Sequence, residues 1–253
     1  MRLTTVGTGT VAPHPTRVAS GHLLQTDDVT LLLDCGPGIT HRLAALRLAW
    51  PTITHVALTH FHLDHVGEVA ALCYAFKYGQ LPPRSAPLTL LGPPGTRDLL
   101  DRLAITYGTW LHAPGYALEV VELPREGGEV TLGTSVRLRT FPVPHTPESV
   151  AYSVEANGRR VVYSGDTGYD EPFARWAAGC DLLLLECSLP ETLAIPSHLT
   201  PRQAGAMAAL ANPRRLVLTH FYAPVETEEL AATVAAEFTG EVTLAHDGWA
   251  IDL

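Results

Sequence analysis

The chain has few cysteines and no long apolar run. Its four cysteines are scattered over 253 residues without a CxxC pair. A disulfide framework and a cysteine-based zinc knuckle are therefore not expected. No apolar stretch approaches the ~20 residues of a membrane-spanning helix. The opening MRLTTVGTGTVAP also lacks the charged start and apolar stretch of a signal peptide. We therefore expect a soluble, cytoplasmic protein.

Basic and aromatic residues are scarce as well. Lys77 is the single lysine, the formal net charge is −9, and aromatic residues make up 7% of the chain. These numbers argue against a broad nucleic-acid-binding face, although they leave a local positive site open. GTGT (7–10) lacks the GK[ST] of a P-loop. Neither Ser20 nor Ser164 lies in a GxSxG elbow, which argues against a serine hydrolase.

Strands and helices alternate at both ends of the chain, and strands fill its middle. The pattern predicts strands at 2–7, 21–26, 29–34, 55–59 and 88–92, with helices at 41–49, 66–78 and 96–108. Strands dominate 117–165, where Asn157-Gly158 is a strong hairpin signal. Further helices are predicted at 172–178, 201–211 and 226–239, and further strands at 181–186, 215–219, 241–245 and 249–253. This order predicts an α/β (α+β) fold, a four-layer αββα sandwich formed by residues 1–253 as one domain.

The tetrapeptide LTHF ends an apolar run twice, at 58–61 and at 218–221. The first copy continues into THFHLDH (59–65), which places three histidines and an aspartate directly after a strand. In an extended turn alternate residues project to one side, so His60 and His62 can converge on one point. Asp64 and His65 follow where the chain bends, and can face a second point nearby. We interpret this cluster as a metal site.

Three further candidate ligands also stand where apolar strands end: His145, Asp166 and His220. The two oxygens of a carboxylate at 166 can serve one cation each. The predicted first metal site consists of His60, His62 and His145, the second of Asp64, His65 and His220, and Asp166 lies between them. Imidazole and carboxylate ligands without thiolate predict two divalent ions, zinc first, with manganese or iron(II) as alternatives.

THFHLDH resembles the HxHxDH signature of the metallo-β-lactamase superfamily. His145, SGDTG (164–168) and the second LTHF resemble the later motifs of that superfamily in the same order. The likeness runs from GTGT to the terminal DGWAIDL (247–253). It implies the αββα sandwich with a dinuclear site at one edge of the sheets, and Asp64 within the signature implies two metals instead of one.

Within the superfamily the chain is most similar to ribonuclease Z and related phosphodiesterases, through LLLDCGPG (31–38), GPPG (92–95) and SHLT (197–200). The resemblance implies that Glu186 orients His198 and that His198 donates a proton to the departing alkoxide. Together with the ligand Asp64, these two are the expected catalytic residues. Ribonuclease Z carries a long basic arm that grips tRNA. Only the 20 residues 146–165 separate His145 from Asp166, so no such arm fits and tRNA is disfavoured as a substrate.

These patterns predict a dinuclear-metal hydrolase that attacks small phosphodiesters or short nucleic acids with a metal-bound hydroxide. Two alternatives stay open: a carboxylic ester, lactone or thioester hydrolase on the same metals, and a non-catalytic protein that keeps the fold. A homodimer is a further expectation from the family. Most of the remaining histidines are expected at the surface or in caps, with His246 as a candidate to support the ligands from behind: His14, His22, His41, His55, His112 and His246.

Overall fold

Two seven-stranded sheets make up the centre of the computed structural model, which describes residues 1–226 and 229–253. The strands of the first sheet are β1 (Arg2–Gly7), β2 (Gly21–Gln25), β3 (Thr30–Leu33), β4 (His55–Ala57), β5 (Leu88–Gly92), β6 (Leu118–Glu122) and β14 (Ala250–Asp252). Those of the second are β7 (Glu129–Leu132), β8 (Val136–Pro142), β9 (Val150–Ala156), β10 (Arg159–Tyr163), β11 (Leu182–Glu186), β12 (Arg215–Thr219) and β13 (Glu241–Leu244). Their spatial orders are β14-β1-β2-β3-β4-β5-β6 and β13-β12-β11-β10-β9-β8-β7.

Helices cover the outer faces of both sheets. They are α1 (Ile39–Ala45), α2 (Leu63–Val66), α3 (Val69–Tyr78), α4 (Thr96–Tyr107), α5 (Glu171–Trp176), α6 (Pro201–Ala211) and α7 (Leu230–Glu237). One apolar core lies between the sheets, and its members include Leu33, Tyr152 and Tyr163. A second core joins the first sheet to α1, α3 and α4, and a third joins the second sheet to α5, α6 and α7. The predicted αββα layers are confirmed.

Two local signals read from the sequence act as expected. Thr200 caps α6 in a capping box with Gln203, and Pro201 occupies the first turn, where its missing N–H costs nothing. Asn157 and Gly158 both have positive φ, 53° and 72°, as a type I′ hairpin turn between β9 and β10 requires.

Three predicted helices differ from the structure by more than two residues at one end or more. The helix predicted at 41–49 is α1, which begins after Gly38 at φ 95° and has ended before Arg47 at φ 56°. The helix predicted at 66–78 is interrupted at 67–68, where Glu68 accepts hydrogen bonds from the backbone N–H groups of Gly38 and Thr40, both at 2.7 Å. The helix predicted at 226–239 is α7, and residues 227 and 228 lie outside the described residues.

Parallel pairing brings several strand ends to one edge of the sandwich. β3, β4 and β5 are parallel in the first sheet, and β10, β11 and β12 are parallel in the second. Loops at the carboxyl ends of such strands meet at the same edge and carry the candidate site. None of the helices in the described residues combines the length and apolarity needed to cross a membrane.

Candidate metal centre

The structure brings all seven predicted ligands together at this edge. Each follows the carboxyl end of a strand, and β4, β8, β10 and β12 supply them. Six of the side chains are buried and only His62 is exposed. Their donor atoms form two groups, each with its members within 4.8 Å of one another: His60, His62, His145 and Asp166, and Asp64, His65 and His220.

The first group contains three histidines and one oxygen of Asp166. The Nε2 atom of His145 lies 3.0 Å from Nδ1 of His62. Oδ2 of Asp166 lies 3.7 Å from Nε2 of His145 and 3.8 Å from Nε2 of His60. These donor atoms lie close enough together to share one metal ion. The loop after β4 supplies His60 and His62, and the loop after β8 supplies His145.

The second group adjoins the first through Asp166. Oδ1 of Asp166 lies 3.1 Å from Nε2 of His65, and its Oδ2 lies 3.2 Å from Nε2 of His220. His220 also lies 3.9 Å from Oδ2 of Asp64. Asp166 is therefore within reach of both groups, in the position that the sequence assigned to a carboxylate between two metals.

The donor atoms fit metal ions better than they fit one another. Nε2 of His60, His65 and His220 and Oδ1 of Asp166 are all buried, and although some of these atoms lie as close as 3.1 Å to a neighbour, none is aligned for a hydrogen bond. Leaving each such group unpaired costs about 1–3 kcal/mol. Donors ~2.1 Å from one zinc ion, at angles of roughly 90–110°, stand about 3.0–3.5 Å apart. The separations of 3.0 to 3.9 Å in both groups are close to that range.

Contacts at Nδ1 orient four of the ligand rings. Nδ1 of His65 lies 2.8 Å from the carboxylate of Asp34, and Nδ1 of His145 lies 2.9 Å from the carbonyl oxygen of Ser197. Nδ1 of His220 lies 2.8 Å from Oγ of Ser20, and Nδ1 of His60 lies 3.0 Å from Oγ1 of Thr59. Holding Nδ1 leaves Nε2 free for a cation, the arrangement that metal-binding histidines commonly have.

Asp34 contacts a predicted ligand and was not among the site residues predicted from the sequence. It is fully buried, has φ 59°, and accepts hydrogen bonds from the Thr59 N–H and the Tyr163 hydroxyl, both at 2.8 Å, besides its contact with His65. The available signal was an acidic residue directly after the apolar run LLL, before Gly-Pro-Gly.

Burial and neighbouring charges determine the protonation of the cluster. Burial on its own raises the pKa of Asp166, but His220 and His65 outweigh it and lower that pKa well below its usual range. Burial, with a contribution from His65, lowers the pKa of His60 well below its ordinary value. Burial on its own lowers the pKa of His65, but Asp166 and Asp34 outweigh it and raise that pKa well above its ordinary value. The carboxylate anion of Asp166 and the neutral imidazole of His60 are the forms that bind a metal, whereas His65 would release a proton on binding one.

Glu186 and His198 form a hydrogen-bonded pair beside the cluster. Nδ1 of His198 lies 2.9 Å from Oε1 of Glu186. The carboxylate of Glu186 is fully buried and also accepts from the N–H groups of Thr167, at 2.7 Å, and Leu199, at 3.0 Å. Burial alone lowers the pKa of His198, but the hydrogen bond and charge of Glu186 raise it above its ordinary value. A ring nitrogen of His198 lies within 4.8 Å of donor atoms of Asp166 and His220.

Two histidines outside the motifs differ from expectation. His22 is fully buried with neither ring nitrogen hydrogen-bonded, and its ring lies 4.9 Å from that of Tyr163, so it is an exception to the surface or capping positions expected for most of these histidines. Burial, with the charges of His65 and His220, lowers the pKa of His22 to about 3. His246 is exposed and contacts the carbonyl oxygen of Asp247 at 3.0 Å, so it does not support the ligands from behind.

A cavity of about 350 Å³ lies beside Asp64. Its wall comes from the segment between β1 and β2, residues 10–14 and 17–19, together with Pro37, Gly38 and Leu63. Two basic side chains, His14 and Arg17, line it. A small molecule in this cavity would have an apolar wall on most sides and the second ligand group at one end.

A histidine–aspartate cluster that can hold divalent cations, at one edge of an αββα sandwich, is the kind of site that metal-dependent hydrolases use. The chain belongs to the beta-lactamase superfamily, whose domain model matches residues 30–221. The family and the fold predicted from the sequence are thus confirmed.

Named relatives cover nearly the whole chain. It is 31% identical over 278 residues to ribonuclease Z of Mycobacterium avium (strain 104), covering 98% of this chain and 96% of that protein. The short form of human tRNase Z is 26% identical, with a TM-score of 0.81 and coverage of 100% of this chain and 99% of that one. A metallo-beta-lactamase fold protein from Bacillus subtilis has a TM-score of 0.85 at 24% identity, covering 99% of this chain and 98% of that one, and bears on the fold alone. The predicted enzyme class, a metal-dependent hydrolase, agrees with these relatives.

Proposed function

We propose that the chain is a dinuclear metal-dependent phosphodiesterase similar to ribonuclease Z. The observation that carries the proposal is the juxtaposition of two ligand groups with the Glu186–His198 pair. The ligand groups by themselves suit several kinds of hydrolysis. A protonatable histidine beside them, held by a buried carboxylate, adds a donor for an alkoxide leaving group.

His60, His62 and His145 would hold one divalent cation, Asp64, His65 and His220 the other, and Asp166 would serve both. Nitrogen and oxygen donors without thiolate suit zinc, with manganese or iron(II) as weaker candidates. When bound, the cations supply Lewis acidity and activate water at neutral pH. Four buried donor atoms without hydrogen-bond partners support this assignment.

His198 is proposed to deliver a proton to the leaving oxygen of the substrate. Its Nδ1 faces Glu186, so its Nε2 is the nitrogen available to donate. The raised pKa of His198 favours the protonated ring, as a proton donor requires. Glu186 positions that ring, and the backbone N–H groups of Thr167 and Leu199 hold Glu186 in turn.

Residues 1–253 are proposed to act as one hydrolase domain, because each ligand group draws on both sheets. His65 follows β4 of the first sheet, whereas His220 follows β12 of the second. The two copies of LTHF therefore each deliver one histidine, His60 and His220, to a shared centre. The homodimer and the cytoplasmic location predicted from the sequence stay predictions.

Substitution of His198 tests the proposed activity. In His198→Ala, turnover of a bis-aryl phosphodiester should fall by about 10²- to 10⁴-fold, the usual contribution of a positioned acid. Elemental analysis of the same sample should find wild-type metal content. His112→Ala is a matched control, since His112 is exposed and pairs with Asp101 at 3.1 Å on the outer helix α4.

The control variant should keep full turnover. If the metal-loaded wild-type protein hydrolyses lactones or thioesters but leaves bis-aryl phosphodiesters and cyclic nucleotides intact, the phosphodiesterase assignment is wrong and the carboxylic ester alternative replaces it. Retained phosphodiester turnover in His198→Ala would contradict only the proton-donating role of His198, and would leave the phosphodiesterase assignment standing.

A further inference from the structure

Arginines cluster on the outer face of the second sheet, at the end of the strands far from the metal centre. Leu138, Val154 and Val161 point into the core between the sheets. Their neighbours along each strand therefore point outward, because side chains alternate along a strand. These neighbours line a cavity of about 420 Å³. We call the following residues the arginine face: Arg137, Arg139, Glu155 and Arg160. Arg159, at the start of β10, lines the same cavity but points to the opposite side of the strand from Arg160.

Strand register puts several cations around one carboxylate. Glu155 is paired with Arg137 on β8 and with Arg160 on β10. Arg137 and Arg139 both form ion pairs with Glu155, and Nε of Arg160 lies 3.8 Å from the same carboxylate. Three guanidinium groups thus share one negative charge, so the face keeps positive charge after its internal pairing.

The surroundings do not cancel that charge. Asp181 pairs with Arg159 at 2.9 Å and with Arg214 at 3.4 Å, and Glu129 lies near Arg137. With these neighbours the region holds five of the 17 basic residues of the chain and three of the 26 acidic ones. It therefore has an excess of two positive charges in a chain of net charge −9.

Part of the face is held rigidly, and part keeps donors free. Arg160 donates to Oγ of Ser153 at 2.9 Å and to the carbonyl oxygen of Trp176 at 2.6 Å. The guanidinium groups of Arg160 and Arg139 lie 5.4 and 5.9 Å from the Trp176 ring centre. In the part of the chain that the structure describes, the guanidinium groups of Arg137 and Arg139 donate hydrogen bonds to Glu155 alone. Guanidinium groups with free donors are well suited to phosphate oxygens.

We propose that the arginine face binds the phosphate backbone of a nucleic acid whose cleaved bond lies at the metal centre. The choice of nucleic acid rests on the proposed phosphodiesterase function. Arg139 lies three residues before the end of β8 at Pro142, and His145 lies three residues beyond that end, so the two are at most about 20 Å apart along the chain. One strand of nucleic acid spans that distance with roughly six phosphates, at ~3.4 Å each. The arginine face is thus a second contact besides the metal centre. Only a substrate of at least about six nucleotides reaches both.

The proposal is tested by the binding of a phosphorothioate RNA of about 16 nucleotides. Fluorescence anisotropy measures the binding constant K at several salt concentrations. Arg137→Ala/Arg139→Ala should weaken binding about tenfold and reduce the slope of log K against log salt by about one to two. Arg137→Gln, which keeps Arg139 on Glu155, should show about half the slope change if the double variant folds poorly.

The matched control removes the same charge elsewhere. Arg2→Ala/Arg102→Ala breaks two exposed pairs, Arg2–Asp252 and Arg102–Asp98, both at 2.8 Å and both on the side of the first sheet. It should bind RNA within about twofold of wild type. Equal weakening in both double variants means that only bulk charge matters and overturns the proposal, as does equal binding in all of them.

Cleavage separates this proposal from the function on which it rests. Turnover of a bis-aryl phosphodiester should be the same in wild type and in Arg137→Ala/Arg139→Ala, because the small substrate does not reach the face. KM for an RNA of about 16 nucleotides should rise in the variant, and KM for one of about four should not. Selective loss of RNA binding with no phosphodiester turnover in any form of the protein would sustain RNA binding at the arginine face. It would refute the phosphodiesterase assignment and, with it, the placement of a cleaved bond at the metal centre.

Discussion

Replacing Asp34 by asparagine should disrupt the second ligand group although none of the predicted ligands is itself substituted. The carboxylate of Asp34 accepts from the Thr59 N–H through Oδ1, and from the Tyr163 hydroxyl and Nδ1 of His65 through Oδ2. An amide has one oxygen, so in either orientation its NH2 group faces at least one N–H or O–H donor. If the NH2 group faces His65, Nδ1 of the ring must accept a hydrogen bond, so the proton of the neutral ring moves to Nε2. A protonated Nε2 cannot bind a metal.

The expected magnitude follows from these contacts. One or two unpaired buried donors cost about 1–3 kcal/mol each in folding stability. Loss of an orienting partner commonly costs 10- to 100-fold in metal affinity, about 1.4–2.8 kcal/mol. We expect Asp34→Asn to keep one metal tightly bound, to bind the second 10- to 100-fold more weakly, and to unfold at lower urea concentration than wild type.

Competition with a coloured chelator, followed by elemental analysis, measures both affinities. Asp28→Asn is the control, because Asp28 is an exposed carboxylate that accepts from the backbone N–H and hydroxyl of Thr134, both at 2.7 Å. That variant should bind both metals as wild type does. If Asp34→Asn also binds two equivalents with unchanged affinity, the orienting role assigned to Asp34 is refuted.

Two further substitutions examine other parts of the molecule. Glu186→Gln removes the charge that raises the pKa of His198, so the ring loses its proton at lower pH. The fall of kcat on the alkaline side should then begin at lower pH than in wild type, and an unmoved pH–rate profile would contradict the pairing. Thr200→Ala removes the side-chain oxygen that accepts from the Gln203 N–H at the start of α6. Urea unfolding should show a loss of about 0.5–2 kcal/mol, with Thr16→Ala, outside any helix, as a nearly neutral comparison.

The helix and strand pattern could be predicted because its signals are local. The hairpin at Asn157-Gly158 and the cap at Thr200 each depend on a few consecutive residues. Helix bounds were less accurate where a distant residue intervenes. Glu68, at the break between α2 and α3, accepts hydrogen bonds from the start of α1, and the predicted helix at 66–78 is interrupted at that point. No local pattern distinguishes this Glu68 from an ordinary helical glutamate.

The candidate site divides in the same way. The motif THFHLDH by itself predicted the types of ligand. His145, Asp166 and His220 could be added to the predicted ligands because each follows an apolar strand. Their convergence needed the fold, since His145 reaches Nδ1 of His62 across 83 residues of sequence. The role of Asp34 was hidden for the same reason.

The sequence by itself determined the layers of the fold, the ligand types and the histidine that each LTHF contributes, because strand periodicity and residue chemistry act over short distances. Only the tertiary structure decided which atoms face one another. It placed Asp34 behind His65 through a contact with Tyr163, which is 129 residues away, and it buried His22. It also gathered arginines from β8 and β10 around Glu155. These arrangements depend on sheet register and on the packing of two sheets, which no short stretch of sequence encodes.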